Sequence, residues 1–516
     1  MKNNQIRIGA VLSYAQIFIS IAVGLVYTPV LIKYLGQNEY GLYNTVASVI
    51  TLIELLKLGF NHSYIRYYAR YKTEKNEKAV DQLNGLFLIV FSVLGIIAFL
   101  CGWFLSGEIC TVFGQNILPE EAKVARTLLL VSTINLAVSF PATVFSTIIL
   151  AQERFVFIKL LTLVQTIAVP LATLPFLLSG YGSVAVVTIT LIVSVIMSAI
   201  TAFYVLLILK NSFKFNGFES GLLSSMLKYT VFITINSIID YINWNVDKFL
   251  LGRYCSFASV AVYSVGYTIY TLYMNLSTAI SNVFVPKIHK IVNELKYKVS
   301  ERNKTLTDIF VKIGRLQFFV LALFAMGLVF FGKDFISIWA GSEYKNAYYI
   351  MLMFVLSAIV PLTQNIGIEI QRALNKHQFR SYLYLVMALV NFVMSIILCQ
   401  QYGEIGAAFG TAFSLVIANG VIMNIYYHTH CGLNIIAFWT SILGMLKGIV
   451  VPLVYGIIIV KIFDIDTVFE IILHAALFTC VYFVSMWLVS LNRDEKKVIK
   501  SFFRNIAGHS YDKNKR

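Results

Sequence analysis

Two small groups of charged and amide side chains interrupt otherwise apolar stretches of this chain, and they are where chemistry could be done. Glu54 and Lys57 are three residues apart, so on a helix they share a face. Asp240, Asn243 and Asp247 follow an i, i+3, i+7 pattern that lines one stripe of a helix, with Asn245 and Lys248 beside its end. Ionisable groups inside a membrane span are costly, so they default to functional positions. A polar stripe cannot face lipid; it faces a cavity or another helix. Asp240, the deepest, is the first candidate for a carboxylate that takes up a proton or a sodium ion, and Glu54 is the second. The plainer alternatives stay open. Glu54 and Lys57 could be a structural ion pair with Lys57 reaching toward the interface. Asp240 could bond a neighbouring helix, and Asp247 and Lys248 could be solvated near a span end.

Other chemistry has no signature. There is no GxxxxGK[ST], HExxH, GxSxG or DxD-type cluster. The seven histidines are scattered, and His428 and His430 read as solvated residues near a helix end. The six cysteines, Cys101, Cys110, Cys255, Cys399, Cys431 and Cys480, contain no CxxC pair and imply neither a disulfide framework nor a metal site. With no ATP-binding signature, any active transport would need no cofactor beyond a coupling proton or sodium ion, or would run on downhill flow of its substrate.

The elements that position these residues are membrane spans. Apolar residues make up 58% of the chain and charged residues 13%, with a mean hydropathy of +0.77. A soluble protein is far more charged. The excess apolar surface must face lipid. Runs long enough to cross a bilayer fall near 8–31, 41–62, 83–105, 125–150, 158–178, 184–209, 229–251, 258–285, 309–331, 346–368, 382–400, 405–427, 447–463 and 468–491. The expected fold is all-α and polytopic, with about fourteen transmembrane helices. Prolines in or beside these runs, such as Pro29, Pro141 and Pro361, permit bends. The tyrosines near span ends (Tyr34, Tyr40, Tyr43, Tyr64, Tyr67, Tyr68 and Tyr71) read as an interfacial belt.

The net charge of +16 sits in short loops, which favours the positive-inside rule over nucleic-acid binding. If the N-terminus is cytoplasmic, the great majority of the 41 lysines and arginines fall on the cytoplasmic side. The opposite side keeps only a few, including Lys33, Lys123, Arg126, Lys333 and Lys345. Both termini are expected in the cytoplasm.

A loose internal repeat at an offset of about 220 residues divides the chain. Leu35-Gly36 before Tyr40-Gly41-Leu42-Tyr43 pairs with Leu251-Gly252 before Val260-Ala261-Val262-Tyr263. Tyr181-Gly182-Ser183-Val184-Ala185 pairs with Tyr402-Gly403-Glu404-Ile405-Gly406, and Pro141 with Pro361. Two lobes of six helices follow, related by a parallel repeat: residues 1–209, a cytoplasmic linker at 210–228, and residues 229–427. Helices 13 and 14, within 428–491, are an addition, and 492–516 is a basic cytoplasmic tail.

At this level the sequence resembles the polysaccharide transporters, the O-antigen flippase-like group, of the multidrug/oligosaccharidyl-lipid/polysaccharide exporter superfamily. The resemblance is carried by Pro29 with Leu35-Gly36-Gln37-Asn38-Glu39-Tyr40-Gly41-Leu42-Tyr43, by Asn245-Val246-Asp247-Lys248-Phe249-Leu250-Leu251-Gly252, by Tyr263-Ser264-Val265-Gly266-Tyr267, by Pro286-Lys287-Ile288 and by Gly341-Ser342-Glu343-Tyr344. It implies two six-helix lobes around a central cavity that opens alternately to either side of the cytoplasmic membrane. The implied substrate is an oligosaccharide on a polyprenyl diphosphate, with other polysaccharide-assembly proteins as partners. Lys57, Arg66 and Lys248 would offset the headgroup's charge, and Arg315 and Arg372 would guard the cytoplasmic entrance. Helices 1 and 8 carry no Lys or Arg in their apolar stretches, unlike the cavity arginines expected of peptidoglycan-precursor flippases, which argues against that precursor. A cation-coupled multidrug exporter of the same superfamily would use Asp240 and Glu54 instead. A membrane-embedded polymerase or glycosyltransferase would want a larger outer loop than 106–123 or 332–345.

Overall fold

Helices make up nearly all of the computed structural model, which describes residues 2–57, 59–114, 117–218, 221–463, 467–497 and 500; no strand occurs among them. The basic tail at 501–516 lies outside the described residues. Nine helices among those residues are long and apolar enough to cross a membrane, or up to ten if a bent pair is one span.

The apolar segments expected as separate spans are joined in two places. Ala15–Thr73 runs as one helical stretch of 59 residues with an apolar window inside it, and Gln378–Thr429 as another of 52. A straight helix of either length would measure roughly 80–90 Å, far more than the ~30 Å hydrocarbon core, so neither is a single crossing. The breaks lie at glycines: Gly36 has φ 73° and Gly403 has φ 59° inside otherwise helical runs. Only glycine adopts that backbone cheaply. The segment expected at 447–463 is half of a bent pair, Ile435–Gly448 with Val450–Ile462, turned by 47°.

The chain divides into two units, Met1–Thr268 with Tyr384–Thr411, and Ile269–Leu383 with Ala412–Arg516. In the first, α1 (Lys2–Glu54), α2 (Phe60–Thr73), α3 (Glu77–Gly107), α4 (Ile109–Phe113), α5 (Pro119–Ala151), α6 (Phe155–Leu178) and α7 (Gly182–Phe203) are followed by α8 (Leu222–Trp244), α9 (Val246–Tyr254) and the start of α10 (Phe257–Asn282). The core of α2, α3 and α5 is aromatic: Phe60, Tyr64, Phe87, Phe91 and Phe140 pack edge-on or tilted at 4.7–6.3 Å. This corrects the belt reading. Tyr40, Tyr64, Tyr68 and Tyr71 are buried core residues, and of the seven only Tyr34 is exposed. Farther along α1, Gly41 lets the helix approach the chain at Phe257 so closely that a Cβ there would sit 1.7 Å from the Phe257 carbonyl oxygen.

Residues 210–218, within the expected linker, lie strapped along α3. The Lys214 amide donates to the Asp81 carbonyl at 2.9 Å, Asn84 Nδ2 to the Ser212 carbonyl at 3.0 Å, and Gln82 Nε2 to the Asn216 carbonyl at 3.1 Å. Tyr64 donates to Asn84 Oδ1 at 2.6 Å from below.

The second unit holds the rest of α10, then α11 (Val285–Glu294), α12 (Val299–Trp339), α13 (Asn346–Thr363), α14 (Ile366–Ala373), parts of α15 (Gln378–Leu415), α16 (Met423–Thr429), α17 (Ile435–Leu443), α18 (Val450–Ile462) and α19 (Val468–Val489). Its seams are hydrogen-bonded. Gln317 on α12 reaches Ser277 on α10, Asn365 reaches Ser281, and Asn424 accepts from both Gln364 and Trp439. Arg315 on α12 is buried and fully engaged. It grips Glu495 through Nε and Nη2 at 2.6 and 2.9 Å, and donates to the carbonyls of Ser441 and Ser490.

Candidate functional site

The expected stripe on the seventh span assumes one straight helix, and the structure breaks it. α8 ends at Trp244, Asn245 leaves the helix at φ −124°, and α9 starts at Val246. Asn245 is the break and Asn243 lies two residues before it, and asparagine is a weak helix former that competes for backbone hydrogen bonds. Asp240, Asn243 and Asp247 therefore do not line one face. Asp240 is exposed, Asn243 is half-buried and Asp247 is fully buried. Asp240 instead lies within electrostatic reach of the Tyr267 hydroxyl. Lys248 sits over the Tyr267 ring at 4.6 Å, and Trp244 packs against that ring at 6.2 Å. Trp244 and Lys248, on either side of the break, thus meet the same Tyr267 ring.

Asp247, for which the sequence left both a cavity role and a solvated position near a span end open, is at the centre of a closed polar nest. It occupies the first turn of α9, where the helix dipole favours a negative group. Its Oδ2 accepts from Tyr263 Oη at 2.7 Å and from Thr411 Oγ1 at 2.6 Å. Asn391 Oδ1 accepts from Thr411 Oγ1 and Ser395 Oγ, both at 3.3 Å. All five side chains are at most 2% exposed. Asp247 Oδ1 and Asn391 Nδ2 have no hydrogen-bond partner among the described residues, although both are buried. Such groups are expensive to leave unpaired. Carboxylate, amide, phenol and hydroxyl oxygens converge here, a donor set suited to a proton or a small hard cation. Among the described residues no group of three or more His, Cys, Asp or Glu could hold a metal.

Tyr263, Asn391, Ser395 and Thr411 were not legible as site residues from their types. The available signal was Asn391, an amide in the apolar run Ala388–Val393, followed by Ser395 one turn on.

A second site lies where α1, α5 and α7 meet. A cavity of about 380 Å³ is lined by Glu54 and Lys57 together with Ser132, Asn135, Ser139 and Thr190. Glu54 and Lys57 are ion-paired at 2.5 Å, and Lys57 also lies over the Phe140 ring at 5.4 Å. The two readings of this pair are therefore compatible: it is an ion pair, and it lines a cavity whose walls are part polar and part apolar. Asn135 Oδ1 is buried there without a partner among the described residues.

The remaining sequence-predicted positions are less enclosed or differently used. Arg66 is exposed on α2. Arg372 is exposed on α14 and paired with Glu369 at 2.6 Å. Arg315, expected at an entrance, is instead closed within the Glu495 clamp, so its guanidinium is spent on structure. A wider polar recess of about 760 Å³ opens beside the strapped segment, with Lys72, Asp81, Arg154 and Lys210 in its walls.

The family described as "Polysaccharide biosynthesis protein" matches residues 8–292. The chain is 21% identical over 206 residues to the probable low-salt glycan biosynthesis flippase Agl15 of Haloferax volcanii; the match spans 40% of this chain and 41% of that protein. Its fold is similar to that of the lipid II flippase MurJ in an inward closed conformation, with a TM-score of 0.72 at 18% identity, covering 92% of this chain and 98% of the other. It is also similar to an inward-facing multidrug resistance MATE family transporter, with a TM-score of 0.61 at 12% identity, covering 82% and 98%.

Proposed function

Since the chain belongs to the polysaccharide biosynthesis protein family of the multidrug/oligosaccharidyl-lipid/polysaccharide exporter superfamily, we propose that it flips a polyprenyl-diphosphate-linked oligosaccharide across the cytoplasmic membrane. The family match over more than half the chain is the observation that carries this reading. A sugar diphosphate is polar and anionic and does not cross hydrocarbon unaided. Two six-helix lobes, residues 1–209 and 229–427, would expose a cavity alternately to either side while the lipid tail stays in the bilayer. Lys57 and Lys248 supply positive charge on that path, and the Asp247 nest is the place where a coupling proton or sodium ion would bind. Both termini lie in the cytoplasm, and the cargo comes from other polysaccharide-assembly proteins.

The test is lipid extraction from a strain lacking the protein, with mass analysis of polyprenyl-diphosphate-linked sugars. A completed repeat unit accumulates and surface polysaccharide is lost if the reading holds. Unchanged lipids with intact polysaccharide in a strain without a second flippase would overturn it.

One observation favours a second reading. The fold is shared with multidrug transporters, and a buried carboxylate nest suits cation coupling. A cation-coupled drug exporter would show reduced drug accumulation in cells that express it.

A further inference from the structure

Among the cysteines that the sequence scatters without pattern, the fold brings two together. Cys255 closes the C-terminal end of α9, and Cys399 lies on α15, 144 residues away. Cys255 Sγ donates to the backbone carbonyl of Cys399 at 3.1 Å, and Cys399 Sγ to that of Ile396 at 3.4 Å. A sulfur hydrogen-bonded to the other cysteine's own carbonyl lies against that residue's backbone, so the two side chains start from neighbouring positions. The two differ in access: Cys255 is exposed, and Cys399 is 1% exposed.

Their register is informative. Cys255 is two helical turns beyond Asp247, and Cys399 is two turns beyond Asn391, with Ser395 between. The same pair of helical segments thus holds the Asp247 nest and, at one end, the thiol pair. On the orientation expected from the basic loops, that end is the non-cytoplasmic one, where disulfides persist.

We propose that Cys255 and Cys399 are a reversible disulfide site that cross-links the two walls of the Asp247 nest. The exposed Cys255 thiolate attacks an external organic disulfide and forms a mixed disulfide, releasing one thiolate. Cys399, deprotonated, attacks Cys255 Sγ and releases the second thiolate. The protein loses two protons and two electrons, and the external disulfide is reduced to two thiols. The buried partner serves as the resolving thiol, so the mixed disulfide does not persist. This inference is independent of the cargo.

The experiment equilibrates the purified full-length protein in detergent with glutathione disulfide, quenches with an alkylating agent, and maps peptides by mass spectrometry without reduction. The expected result is a Cys255–Cys399 cross-linked peptide that dithiothreitol removes. In a Cys399→Ser variant, Cys255 should accumulate as the glutathione mixed disulfide instead, which a merely inaccessible thiol would not do. Native protein in which both cysteines remain separately alkylated, or in which Cys255 stops at the mixed disulfide, would overturn the proposal.

Discussion

At the scale of single residues, Asp247 is where burial and chemistry coincide. It is fully buried, its Oδ2 takes two hydroxyl bonds, and its Oδ1 has no partner among the described residues. Asp247→Asn keeps the shape and both acceptor contacts at one oxygen while removing the charge. It should leave membrane expression near normal and reduce complementation of a deletion strain at least tenfold; full activity would remove the nest from the transport cycle. Tyr263→Phe deletes one hydrogen bond to a charged acceptor, worth about 1.5–3 kcal/mol, and should lower the thermal midpoint in detergent by a few degrees. The sequence ranked Asp240 above Asp247, whereas the structure buries Asp247 and leaves Asp240 exposed. The cause is one backbone break at Asn245, which turns Asp247 inward and leaves Asp240 exposed. Periodicity assumes a continuous helix, and nothing local marks a break that two asparagines only permit. Asn391, Ser395 and Thr411 were harder still, because their role comes from a contact 164 residues away in sequence.

At the scale of elements, hydropathy made the helices legible and their joints less so. Apolar runs reveal spans because lipid demands them. Their ends depend on single residues such as Gly36 and Gly403, whose positive φ values fold two apolar stretches at kinks. The paired motifs at Tyr181-Gly182 and Tyr402-Gly403 do have one physical property in common: both glycines hold φ near 60°. The polar segment 210–218, within the expected linker, is strapped to α3. Asn84→Ala would orphan the buried Tyr64 hydroxyl, at a cost of about 1–3 kcal/mol, and would release the exposed Ser212 carbonyl to water. Protease cleavage in this segment should become much faster in that variant while the rest of the chain stays protected. The Arg315–Glu495 clamp is the counterpart in the second unit. Breaking a buried pair from one side costs about 3–5 kcal/mol, so Glu495→Ala should lower the thermal midpoint far more than Arg372→Ala, whose pair with Glu369 is solvent-exposed on the arginine side.

At the scale of the whole molecule, the question is which sign of charge the transport path favours. The family places the chain among polysaccharide biosynthesis proteins, and the fold is shared by lipid II flippases and multidrug transporters. Those cargoes differ in charge, and the cavity of about 380 Å³ offers both signs in one ion pair, Glu54 with Lys57. The pair separates the two functions. An anionic diphosphate gains from Lys57 and is repelled by Glu54, whereas a cationic drug does the reverse. Lys57→Gln should therefore reduce glycan export several-fold in a deletion strain, and Glu54→Gln should spare it or raise it. For a drug exporter the order inverts: Glu54→Gln abolishes drug efflux and Lys57→Gln does not. Measuring surface polysaccharide and drug accumulation in the same two strains reads both scales at once. Equal loss in both variants would mean that the ion pair acts only as a structural brace between its helix and the cavity wall, because removing either partner of a brace leaves the other charge unpaired. Unequal loss names the charge of the cargo, because a brace has no reason to prefer one partner.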